Sequence, residues 1–134
     1  MRLYVLFVLL FLLQSCKEPA CDWKGGEIID YGTYCNDDFK IKVYKEGNFL
    51  RYEVENKKDD VAIKNDMDIS VFHHWGLFLD NDKSVWVFSS DIGDAVWKRD
   101  SVTGEYRKRM FHHFLTRDSV PNELYASSLK RFIK

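Results

Sequence analysis

The sequence predicts a mainly β (α+β) protein: an antiparallel sheet of six to seven short strands curled into a small sandwich or half-barrel, with one short C-terminal helix. Three observations carry this expectation. From Phe39 onward, runs of β-branched and aromatic residues alternate with polar ones. Clusters of Gly, Asn, Asp and Lys separate those runs by only a few residues, as in a meander of hairpins. The last stretch breaks the pattern, with Pro121 ahead of Glu123, then Lys130-Arg131.

In chain order, Phe39–Tyr44 and Leu50–Val54 alternate about the turn Lys45-Glu46-Gly47-Asn48, which predicts a hairpin. Val61–Ile63 adds a short strand after a polar turn, and Ile69–Leu79 reads as one longer strand. Asp80-Asn81-Asp82-Lys83 turns into Ser84–Ser89. Ala95–Lys98 follows, and Thr103-Gly104 turns into a last strand around Tyr106–Leu115. Pro121 at a first helical position, Glu123 in the first turn and Lys130-Arg131 in the last turn suit a helix whose apolar face is Leu124, Leu129, Phe132 and Ile133.

Composition excludes several classes. With 134 residues, 46% hydrophobic and 16% aromatic, the chain carries too much apolar surface for a solvated coil. Seven Gly and two Pro leave nothing collagen-like or repetitive. A formal charge of −1 lacks the basic excess of a nucleic-acid binder, so no nucleic acid is expected as a partner.

The N-terminus follows different rules. Leu3–Leu13 is an unbroken apolar run behind Arg2, spanning about 16 Å as a helix, about half a bilayer's hydrocarbon core. That length fits the apolar region of an export signal and is short for a membrane-spanning helix. It ends in Leu13-Gln14-Ser15-Cys16, which resembles the lipobox of bacterial lipoproteins, with Gln14 standing where the family prefers Ala, Ser or Thr. The resemblance covers about sixteen residues. It implies diacylglyceryl transfer to the Cys16 thiol, cleavage before Cys16 and acylation of the new amino group. The expected domain organisation is therefore a signal peptide over 1–15, a lipidated Cys and tether over 16–21, and one globular domain over 22–134. Stable anchoring follows from several acyl chains acting together. Lys17 beside the modified Cys resembles sorting away from the inner membrane, so the expected location is the cell envelope, at the outer membrane, facing periplasm or surface.

In an exported chain the two other cysteines, Cys21 and Cys35, are expected to pair, closing a loop worth about 3 kcal/mol. Charge is divided along the mature chain. Residues 16–97 carry 10 basic and 17 acidic side chains, net −7; residues 98–134 carry 9 basic and 4 acidic, net +5. Either the basic part forms a face for lipid headgroups or an acidic partner, or the two parts pack together and compensate. The second reading is favoured, because no run exceeds three like charges.

Several residue sets invite chemistry. The histidines form two pairs, His73-His74 and His112-His113, and one from each with Asp91 would make a zinc set; neighbours on a strand point to opposite faces, which argues against it. Asp80-Asn81-Asp82 opens like a calcium loop but has Val85 at its sixth position, where Gly is needed. No metal or other cofactor is expected. Ser89 or Ser90 with a His and Asp91 would compose a hydrolase triad, yet no G-x-S-x-G turn is present. Trp75, Trp86 and Trp97 recur every eleven residues, as a shared aromatic core or, with Asp91, a platform for a glycan or small ligand. The leading expectation is a non-catalytic binding module, anchored in the bilayer through acylated Cys16 and meeting an envelope protein. The alternatives are a small hydrolase using Ser90, Asp91 and a His, and an aromatic-platform binder.

Overall fold

The structure, a computed structural model, describes residues 21–56, 60–111 and 115–134. Ten strands form two antiparallel sheets, and a short helical segment adds a third layer. The first sheet has the order β1 (Gly26–Ile28), β7 (Trp75–Leu79), β8 (Val85–Ser89), β9 (Asp94–Arg99), β10 (Tyr106–Phe111). The second has the order β2 (Gly32–Cys35), β3 (Phe39–Glu46), β4 (Phe49–Asn56), β5 (Val61–Lys64), with β6 (Ile69–Ser70) sharing the far edge of β4. The mainly β class and the antiparallel pairing are as expected from the alternation.

The hairpin β3–β4 shows how the pattern builds the sheet. Ile41, Val43, Leu50, Tyr52 and Val54 point to one side and are buried, while the lysines, arginine and glutamates between them face outward. Gly47 takes φ +60° in the turn, a conformation a side chain disfavours. Leu77, Leu79, Val85, Val87 and Ala95 of the first sheet meet this inner face, making one core between the sheets. Trp97 Nε1 donates to Tyr52 Oη at 3.0 Å across it, so the buried hydroxyl has its partner.

All five β8 residues are buried, because the first sheet is covered on both sides. Its outward residues Phe78, Trp86, Phe88 and Val96 pack under Leu115, Val120, Leu124 and Leu129 from the C-terminal segment. Gly76 is needed there for proximity: a Cβ on it would stand 2.4 Å from Leu129 Cδ2.

Four expectations need adjusting. Ile69–Leu79 is two strands in different sheets, broken at Val71–His74, where the Val71 and His73 amides bond back to Asn48 and Ser70. The strand count rises through this break and through β1 and β2, which are too short to show a pattern. The last strand is described over Tyr106–Phe111, and Leu115 lies outside it in a parallel bridge to Ile133. The C-terminal helix is only α1 (Asn122–Tyr125), followed by a 3-10 turn over Ser128–Phe132; Pro121 is its N-cap residue.

Candidate functional site: a basic groove beside the C-terminal layer

The disulfide joins Cys21 to Cys35. Cys35 registers opposite Lys40 and so lies on the outward side of the β2–β5 sheet, at its β2 margin. Cys16, His112 and His113 lie outside the described residues.

The segment over 86–93 is a turn clamp. Ser89 Oγ accepts from the amides of Asp91 and Ile92, and the Asp94 carboxylate accepts from the Ser89 amide. Ser90 Oγ accepts from the backbone amide of His74 at 3.1 Å, and Asp91 Oδ2 from that of Ser70 at 3.2 Å. The structure thus brings Ser90, Asp91 and His74 together, with the backbone of His74 rather than its imidazole as the partner. Desolvation raises the Asp94 carboxyl to about 6, against a smaller lowering by the Ser89 amide. Asp80, first in the calcium-like stretch, accepts from the Ser84 amide and from Trp86 Nε1 at 2.9 Å, closing a hairpin turn in which Lys83 takes φ +64°. Among the described residues no group of three or more His, Cys, Asp or Glu is placed to hold a metal ion.

The three tryptophans are separated by the sheet that carries them. Trp75 and Trp97 pack against the core between the sheets, and Trp86 faces the C-terminal layer. Trp75 meets Tyr31 with ring centroids 5.4 Å apart.

Two concavities stand out. One, of about 520 Å³, opens between the sheets at the end nearest the disulfide, lined by Phe39, Glu55, Asn56, Lys83, Arg99 and Tyr106 among others. Its polar groups are largely committed: Lys83 pairs with Asp38 at 2.6 Å, and Tyr106 Oη donates to the Lys83 carbonyl. Hydrogen bonds from Lys40 and Lys42 hold the Glu55 carboxyl below its ordinary value.

The other, of about 440 Å³, runs between β10 and the segment over 118–121. Its floor is a stacked pair, Trp86 and Phe111, with centroids 6.0 Å apart and planes 12° from parallel. Lys98 and Arg109 line the strand wall; Pro121 and Asp118 line the other. Strand alternation explains the wall: Trp97, Lys108 and Met110 turn inward, so Lys98, Arg107, Arg109 and Phe111 turn outward. Lys98 and Arg107 sit directly opposite one another. Among the described residues, no ion pair joins Lys98, Arg107 or Arg109 to a carboxylate. Arg109 instead lies over Phe111 at 5.3 Å. The expected compensation between acidic and basic parts is met by Lys108, which reaches Asp66 at 2.6 Å, and stops there for this strand.

The groove draws on β8, β9, β10 and the C-terminal segment, a convergence that no local spacing announces. One signal was present: in a strand, Arg107-Lys108-Arg109 must put its two arginines on the same side. Compared with known proteins, the chain matches no family model, no curated protein and no solved structure.

Proposed function

We propose that this protein is a non-catalytic binding module of the bacterial cell envelope, held at a membrane through acylated Cys16. The observation that carries this reading is Leu13-Gln14-Ser15-Cys16 directly behind an eleven-residue apolar run. Two features support it. A disulfide at Cys21 suits an exported chain and pins the fold five residues after Cys16. The residues of the alternative hydrolase reading, Ser90 and Asp91, accept hydrogen bonds from backbone amides in a turn clamp, which gives them a structural task. The anchored domain would face periplasm or surface, with an envelope protein as its partner.

Intact-mass analysis of the membrane fraction tests the anchor. The expected species begins at Cys16 and carries acyl chains. An unmodified chain beginning at Met1 in the soluble fraction would overturn the reading.

A further inference from the structure

We infer that the groove between β10 and the C-terminal layer is the docking site, and that its occupant is an acidic, extended segment of a protein, seating an apolar side chain against the half-buried Phe111, which Trp86 backs from below. The inference deepens the reading above and rests on it for the orientation of the molecule alone.

Charge complementarity selects the occupant. Several cations elsewhere on the described surface are paired: Lys40 and Lys42 on Glu55, Arg51 on Glu46 and Asp68, Lys64 on Glu53, Lys83 on Asp38, Lys108 on Asp66. Lys98 and Arg109 at the groove are not, and Arg107 adds its charge beside Lys98. Facing like charges across a strand pair costs stability, and Asp100, whose carboxyl Arg107 helps to lower, offsets part of it. Carboxylates of a partner would offset the rest, and a guanidinium such as Arg109 can receive one in two-pronged fashion. Asp118 on the opposite wall disfavours an anion placed across the whole width, so the partner's carboxylates belong along the strand side. The apolar floor requires more than charge, which is why a segment with an apolar residue among acidic ones fits better than a free anion.

Geometry favours a protein partner over anionic lipid. Cys21 lies at the β2 margin, on the outward side of the second sheet; the groove lies on the far side of the first sheet, near β10. Two packed sheets are about 10 Å apart, and side chains on both outer surfaces bring the separation to roughly 20 Å. The five residue steps from Cys16 to Cys21 span at most about 18 Å fully extended. A membrane laid against Lys98 and Arg109 would therefore need the tether close to full extension. Anchored, the molecule turns this groove toward other proteins.

The test uses the full chain purified in a neutral detergent, with a fluorescent ten-residue probe peptide of Asp and Glu carrying one central Leu. Anisotropy should report saturable binding that weakens as salt is raised. Replacing the probe's acids by Asn and Gln should weaken it at least tenfold, and so should Lys98→Glu or Arg109→Glu in the protein. Lys64→Gln, on the opposite outer face, should leave binding within twofold, and matching near-UV spectra would show that each variant is folded. No saturable binding, or binding indifferent to Lys98→Glu and Arg109→Glu, would overturn the inference. So would excess retention on phosphatidylglycerol over phosphatidylcholine vesicles that is lost with the same variants, because the face would then be a lipid surface. An unacylated Cys16 with groove binding intact would sink the anchor reading alone.

Discussion

The two outer sides of this sandwich treat their charges differently. On the outward side of the β2–β5 sheet, Lys40, Lys42, Arg51 and Lys64 all reach carboxylates, and Glu55 is held between two lysines. Across the molecule, where the first sheet meets the C-terminal segment, cations rest on rings. Arg109 lies over Phe111, Arg117 over Tyr125 at 4.7 Å and Arg131 over Phe132 at 5.3 Å. The first pattern knits neighbouring strands together. The second leaves full positive charge facing solvent above an aromatic base, each contact worth about 0.5–1 kcal/mol. Net charge near zero hid both.

The largest effect should come from stripping the covered side. Phe88 is fully buried and stacks on Phe132 at 5.4 Å, so Phe88→Ala should cost about 3–5 kcal/mol in urea denaturation. Phe72, 74% exposed, should tolerate Phe72→Ala within about 0.5 kcal/mol. Equal costs would mean that the C-terminal segment does not cover the sheet.

Ionisation offers a smaller contrast, with opposite signs in two places. Glu55 has its carboxyl lowered by Lys40 and Lys42, so its contribution is present above the ordinary carboxylate range and is lost as pH falls through the lowered value. Glu55→Gln should cost about 0.5–1 kcal/mol at pH 7, since both lysines are partly in water. Asp94, raised by burial from 3.8 to about 6, is protonated in the folded state where the unfolded chain is not. Its contribution is present below pH 3.8 and is lost as pH rises through about 6. Stability measured from pH 4 to 7 should change with Asp94→Asn in the sense of removing that decline.

Much of this architecture is written locally. The β3–β4 hairpin is legible because one face is buried and the other wet, so alternation survives in the residues. β8 is legible for the opposite reason, as a continuous apolar run bounded by turns, covered on both sides. The same rule hides the break at Val71–His74. An apolar run reads as one strand, and only the hydrogen bonds of Val71 and His73 show the chain changing sheets. The candidate groove was half legible. The basic excess of residues 98–134 and the Arg107-Lys108-Arg109 run were visible, but which of these cations reach a carboxylate depends on where Asp66 and its neighbours lie. The even spacing of Trp75, Trp86 and Trp97 misdirects, because Trp86 turns to the other side of the sheet.

The contrast between the two sides predicts that Lys98 is retained for binding at a small cost to the fold. Lys98→Glu converts a like-charge pair with Arg107 into an opposite one, so urea denaturation of that variant is the most direct measurement. The account predicts a gain of about 0.2–1 kcal/mol over the unsubstituted protein. A loss of stability would mean that Lys98 serves the fold, and would contradict the assignment of this face to a partner.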